Sequence, residues 1–472
     1  MTFITPFILF FLSGFASILT NNKRVLNAIF CLTSLVALLF SIYFAINIKT
    51  QVGYVFGGFS VDLGIEYTAN PFKLSLVSFL CGLFFIFSIF FNGFIRHFNE
   101  DFEFNTLFCI LQIMCGSAIA IIFTNDLFNF YIFLELLAIC CYVLTSLGKG
   151  GGSYASFNYL FLGIIASGFL VLGIGMLYFS TGYLNFTKVA ELLHQNTEVK
   201  AMIPFAFILT GFLIKLAVFP FSFWAGLVYK YFPNSVLPLY GSLVSFVTFY
   251  GLFTFKNTFF VGEAEAIKML ILALSSIGVL VFSFFSLFEN NVKKIFAYST
   301  IGQVSYSIFI LFFSDKTLNA LAFLHLASNS LSKLALFIIC FEVFKTKQNT
   351  VISAFENLSE KSKFLSIVVL FFFANIIGLP LMFGFFTKLS IILSVIPSKQ
   401  YIFVALILIG AILNFLYFWR IASVIFYPKY KEEGENLTVS IESKISLFIL
   451  VAVCVVAIFL FSTILNFLSL SI

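Results

Sequence analysis

Charge is what this chain of 472 residues has least of: Asp, Glu, Lys and Arg together make up only 10%. So little charge cannot keep a large surface in water. With 61% apolar residues and a mean hydropathy of +1.10, the chain belongs in a bilayer. Histidine is scarcer still, at three residues, and the eight cysteines are scattered singly apart from Cys140 and Cys141. Neither set has the spacing of a metal, haem or iron–sulfur site, so the cysteines read as small buried hydrophobes and no cofactor is expected. The longest polar stretches, near 345–363 and 427–444, are loop-sized and leave no room for a soluble domain. The net charge of +6 is spread over short loops, which speaks to membrane orientation and not to nucleic acid.

What is present is apolar and aromatic, with 72 phenylalanines. About fourteen segments reach spanning length, near 3–20, 26–46, 72–92, 105–123, 127–147, 156–180, 202–224, 235–255, 267–288, 294–313, 319–344, 364–387, 401–424 and 445–468. The first lacks a basic leader and is followed by Asn21-Asn22-Lys23-Arg24, the reverse of a cleaved signal, so it reads as a retained span. The Gly-rich stretch from Val52 to Tyr67 reads as an extracytoplasmic hairpin or loop. Most basic residues fall in alternate loops: Lys23, Arg24, Arg96, Lys149, Lys230, Lys293, Lys294, Lys345, Lys347, Lys361, Lys363, Lys429, Lys431 and Lys444. The positive-inside rule then puts both termini outside the cytoplasm, as an even number of spans allows.

Against this background Glu135, Lys215, Lys333 and Lys388 stand out, each inside an apolar run. A charge at the centre of a spanning helix costs about 2.5–3.5 kcal/mol, so these side chains should face protein or a wet cavity and mark an ion or proton path. Burial penalises a lone carboxylate at Glu135, and Lys215 is the candidate partner that compensates it. Two coupled groups in a low-dielectric site titrate together, which suits a proton relay; a static buried ion pair is the alternative. His325, Asn329 and Lys333 recur every fourth residue along one helical stripe, with Ser328, Ser330 and Ser332 able to hold water. Histidine adds a group that passes protons near neutral pH, though such a stripe also serves as helix–helix glue.

Two spans carry interruptions. Pro220 follows Lys215, and Gly378-Leu379-Pro380 precedes Lys388. Proline breaks the helical ladder, and within a membrane such breaks survive where protein or water satisfies the freed carbonyls. They fall in about the seventh and twelfth spans, which points to repeats made of spans 4–8 and 9–13. The expected division is 1–104 for spans 1–3, 105–255 and 256–425 for the two repeats, and 426–472 for a cytoplasmic loop and final span.

These residues, in this order, resemble the antiporter-like membrane subunits shared by Mrp sodium/proton antiporters and respiratory complex I. The stretches that carry the resemblance are Asp126 to Glu135, Leu177 to Asn185, Leu213 to Trp224, Lys293 to Thr300, His325 to Lys333 and Gly378 to Lys388. It covers most of the chain, is strongest from about 105 to 390, and looks nearest to the Mrp D-type subunit. It implies an all-α polytopic fold of about fourteen helices, with two inverted five-helix repeats and discontinuous seventh and twelfth helices. It also implies a glutamate–lysine pair at Glu135 and Lys215, and a second half-channel with His325, Lys333 and Lys388. The departures are Phe246, where the family has a lysine, Ser222 and Asn329 in place of histidines, and Ala225-Gly226-Leu227 after Trp224. Phe246 cannot carry a proton, though water near Ser242, Ser245 and Thr248 could bridge the gap.

Three functions compete. The first is a cation/proton antiporter-like subunit of a multisubunit inner-membrane complex, with protons, and sodium as the candidate cation, as its cargo. The second is a proton-pumping membrane subunit of complex I or a membrane-bound hydrogenase, with no catalytic centre of its own. The third is a non-conducting structural paralogue.

Overall fold

Apolar runs with no backbone partner in lipid have one local solution, the α-helix, in which every peptide group is satisfied within its own segment. The computed structural model, which describes residues 3–61, 64–97, 103–195, 202–259, 265–313, 315–347, 350–427 and 437–472, is accordingly almost entirely helical. Lys429 and Lys431 lie outside the described residues, as do the side chains of Arg96 and Lys347.

The chain begins with α1 (Thr5–Ser17), α2 (Lys23–Asn47) and α3 (Pro71–His97). Between α2 and α3, β1 (Val52–Val55) and β2 (Glu66–Ala69) form an antiparallel hairpin. There follow α4 (Phe104–Phe123), α5 (Leu127–Ser146), α6 (Gly152–Thr181), a short amphipathic α7 (Phe186–Gln195), α8 (Met202–Lys215), α9 (Phe223–Tyr231) and α10 (Leu237–Phe259). The second series is α11 (Glu265–Phe288), α12 (Val292–Leu311), α13 (Lys316–Lys347), the short α14 (Leu358–Lys361), α15 (Lys363–Ile377), α16 (Phe383–Val395) and α17 (Tyr401–Phe426). α18 (Ile441–Phe459) and α19 (Phe461–Ser471) end the chain. Among the described residues ten helices are long and apolar enough to cross a membrane, and α1, α8, α15, α16 and α19 are shorter apolar helices.

Helix ends are closed by side chains where polar residues permit. Asp126 accepts from the Asn129 backbone N–H at 2.7 Å to start α5, and Asn291 accepts from Lys294 N–H at 3.2 Å to start α12. Each N-cap also makes an isolated antiparallel bridge, Asp126 with Asn185 and Asn291 with Val351. α13 is the most enclosed of the long helices and packs against α10, α12, α15 and α16. It is therefore the axis around which polar groups can be kept from lipid.

Four of the alternate-loop lysines gather at one end of the bundle. Lys149, Lys230, Lys293 and Lys345 line a single cavity of about 590 Å³, together with Phe94 from the end of α3. The hairpin lies with the opposite loops: the Glu66 carboxylate accepts from Asn125 at 2.7 Å and Asn185 at 2.8 Å.

Both interruptions are real breaks. α8 stops at Lys215, and the backbone turns through Ala217 (φ 54°) and a cis Phe219–Pro220 bond before α9. α15 stops at Ile377, and Gly378 (φ 82°) and Leu381 (φ 70°) turn the chain into α16. Left-handed residues other than glycine are costly and collect where structure is held for a purpose. A Cβ at Gly378 would also approach the Lys388 stem to 3.1 Å. Gly378→Ala should therefore lower stability by about 1 kcal/mol or more, read as a reduced thermal midpoint in detergent. Gly168→Ala, in open space on α6, should show no such loss.

Candidate functional site

The first break brings the carboxylate and the first lysine together. Lys215, the last residue of α8, donates from Nζ to Glu135 Oε1 at 2.7 Å. The Ser167 hydroxyl, from α6, donates to the same oxygen at 2.6 Å. Lysine at a helix C-terminus also faces the negative end of the helix dipole, so the break itself favours the ammonium there. Trp224 steadies the gap: its indole N–H donates to the Ile214 carbonyl at 3.3 Å, and its ring stacks on Tyr159 with centroids 4.5 Å apart. The Lys215 side chain is nearly buried, whereas Glu135 retains 22% exposure on the outer side of the pair.

Lys215 stands between two cavities. One, of about 20 Å³, room for about one water, is lined by Tyr142, Tyr159, Trp224 and Thr248. The other, of about 30 Å³, room for one or two waters, reaches across α10 to α12 and is lined by Tyr229, Tyr240, Ser245 and Thr300. Phe246 lines neither. Its ring packs 5.1 Å from Phe79 and 6.0 Å from Phe323, in a dry aromatic cluster on the opposite side of α10. Ser242 and Thr248 donate to carbonyls of their own helix, while Ser245 and Thr248 line the Lys215 cavities.

The second-half lysines have carbonyls in place of a carboxylate. Lys333, fully buried, donates to the Phe296 carbonyl on α12 at 3.0 Å. Lys388 donates to the Ile376 and Ile377 carbonyls, at 2.7 and 3.2 Å, where α15 ends. It also lies 5.0 Å over the Tyr306 ring. The Lys388 side chain thus fills the broken helix end and satisfies its carbonyls. His325 shares a hydrogen bond of 3.0 Å between Nδ1 and the Thr387 hydroxyl, which places it beside Lys388 and Tyr306. Among the described residues, His325 Nε2, Asn329 Oδ1 and Gln303 Nε2 are buried without a protein partner, as is Ser222 Oγ near the first break. Buried polar atoms of this kind are positions for water.

Two of the serines beside the α13 stripe, Ser328 and Ser332, are engaged by a side chain of α15. Asn375 donates to Ser328 Oγ at 3.0 Å and Ser332 Oγ at 2.8 Å, and it accepts from the Gly384 N–H at 2.9 Å. It thereby ties α13 to both sides of the second break. Sequence reasoning missed Asn375, although a lone amide inside an apolar run was the available signal. It also placed Lys293 in a loop. Lys293 is instead buried in the first turn of α12, donating to the Phe232 carbonyl at 2.6 Å and Asn234 Oδ1 at 2.9 Å. Glu342, fully buried, was not singled out; it pairs with Lys345 at 2.6 Å and accepts from Ser440 and Ser443.

With this geometry in view, the likeness to known proteins is specific. Residues 124–414, more than half the chain and both breaks, match the family model described as NADH:quinone oxidoreductase/Mrp antiporter, TM. A NADH-quinone oxidoreductase subunit N from Desulforudis audaxviator is 28% identical over 78% of this chain and 74% of its own length. A putative antiporter subunit mnhD2 from Staphylococcus epidermidis is 26% identical over 90% of this chain and 85% of its own. In fold, the chain is similar to one in the membrane-bound sulfane sulfur reductase, an archaeal respiratory membrane complex. That match has a TM-score of 0.90 and 23% identity, and covers 98% of this chain and 95% of the other. The chain is therefore a multi-pass integral membrane protein that belongs to the NADH:quinone oxidoreductase/Mrp antiporter transmembrane family of antiporter-like subunits.

Proposed function

We propose that the chain is the proton-translocating, cation/proton antiporter-like subunit of a multisubunit membrane complex, of the Mrp D-type. The observation that carries this reading is the Glu135–Lys215 ion pair at a broken helix end, followed by Lys333 and Lys388 on backbone carbonyls. A proton that moves between such sites changes the charge each one must hold, so loading one alters the affinity of the next. The membrane potential adds about 2.3 kcal/mol per charge per 100 mV. Sodium is the candidate counter-cation, and other membrane subunits of the complex are the partners.

The element order supports fourteen crossings, with α8/α9, α15/α16 and α18/α19 each making one. α4 to α10 and α11 to α17 then form two five-crossing repeats. Each has a capped second helix, a β-bridge, a short helix and a broken crossing. Five is odd, so the second repeat is inverted. The limits expected from sequence, 1–104, 105–255, 256–425 and 426–472, fit this layout. The shared lysine-lined cavity supports a cytoplasmic end there, with both termini on the far side of the cell (inner) membrane.

A second reading, a pumping subunit of complex I or a hydrogenase-like complex, is favoured by the NADH-quinone oxidoreductase relative and the fold likeness to an archaeal respiratory complex. The third, a scaffold that does not conduct, rests on Phe246 and its dry aromatic surroundings.

Inside-out vesicles carrying the whole native operon separate them. Sodium-dependent collapse of an imposed pH gradient is the expected result. Its absence, with quinone- or hydrogen-driven proton pumping intact, assigns the chain to a redox complex, and absence of both leaves the scaffold. Glu135→Gln and Lys215→Ala should each slow transport by about 100-fold or more. Unchanged transport by Lys215→Ala would remove that lysine from the relay.

A further inference from the structure

Within the proposed relay, the family's lysine on α10 is replaced by Phe246, so the crossing between the two halves needs another route. We propose that this route runs along α12, with Thr300 as the residue that positions water between Lys215 and Lys333.

The first support is the cavity that joins Lys215 to α12. Thr300 and Ser245 line it, and Phe246 faces away into the aromatic cluster. The second is a shared acceptor. The Thr300 hydroxyl donates to the Phe296 carbonyl at 2.9 Å, and Lys333 Nζ donates to that same carbonyl at 3.0 Å. With its proton committed to Phe296, Thr300 Oγ1 presents lone pairs to a donor in the cavity. Lys333 does not itself line this cavity, and a carbonyl relays no proton, so the water path to its amine passes round the Phe296 carbonyl that both groups share.

The third support comes from position in the chain. Glu135 lies nine residues after the N-cap Asp126 of α5, and Thr300 lies nine residues after the N-cap Asn291 of α12. In the two-repeat layout Thr300 therefore occupies in the second half the place Glu135 holds in the first. A hydroxyl there, in place of a carboxylate, adds no fixed charge, which suits a crossing point through which a proton passes without being trapped.

The transfer balances with water as the co-reactant. An N–H bond of the Lys215 ammonium breaks, and its proton goes to a water in the cavity. Each water in the chain takes one proton and releases one, and the last release forms a new N–H bond on the Lys333 amine.

The test compares Thr300→Val, which keeps shape and removes the hydroxyl, with Thr300→Ser, which keeps the hydroxyl. Both are assayed in the intact complex in vesicles, with Glu135→Gln alongside. Proton translocation should fall by on the order of 10- to 100-fold in Thr300→Val and recover in Thr300→Ser. Thr300→Ala replaces the valine variant should that one fail to assemble. Wild-type rates in Thr300→Val with transport abolished in Glu135→Gln would overturn the α12 route and leave the proposed function standing. Equal losses in Val and Ser variants that assemble normally would also overturn it, since the hydroxyl would then not matter. Wild-type rates in Glu135→Gln as well would sink the underlying function, and the route with it.

Discussion

A helix broken inside a bilayer leaves carbonyl oxygens with nothing to bond, and this structure depends on how that deficit is met. At the second break the answer is an ammonium: Lys388 binds two terminal carbonyls of α15, and Asn375 ties the gap to α13. At the first break Trp224 takes one carbonyl, and Lys215 sits at the end of α8 with its charge answered by Glu135. The breaks create sites where a lysine is stable although lipid is near. The lysines in turn keep the breaks from being mere defects.

The interior is divided into a dry side and a polar one. α10 turns Phe246, Phe249 and Phe253 towards Phe323, an aromatic mass through which a proton has no path. α12 does the reverse. It is nearly all buried, yet it carries Lys293, Thr300, Gln303 and Tyr306 within a single helix. A helix this polar is tolerated only at the centre of a bundle, where α13 and its neighbours shield it. A phenylalanine at position 246 on α10 therefore need not end conduction, because polar side chains are supplied by another helix.

Much of this was legible in the sequence. Uncharged runs force helices, so most helices could be placed to within a few residues, and prolines beside lysines located both breaks. α9 and α16, however, run past the expected ends at 224 and 387 to Tyr231 and Val395. Spacing of four along α13 put His325, Asn329 and Lys333 on one face. What stayed hidden depended on tertiary partners. Lys293 lies shortly after two asparagines and precedes Lys294, a pattern identical to a basic loop; only the packing of α12 against the α9–α10 connection buries it. Ser328 and Ser332 looked like water sites because nothing local announces that Asn375, far along the chain, will use them. The strands at Val52–Val55 and Glu66–Ala69 were legible only as a hairpin or loop, since their pairing is set by loop closure more than by any apolar alternation.

The central claim is that the Glu135–Lys215 pair is a working proton site and not a fixed ion pair. The direct test is isotope-edited infrared difference spectroscopy of the intact complex with labelled glutamate, recorded as transport is started and stopped. Glu135→Gln would identify the band. The account predicts a protonated carboxyl signal from Glu135 that rises and decays with turnover. Transport that proceeds while Glu135 stays a carboxylate throughout would contradict it and leave the pair a structural clasp at the end of a broken helix.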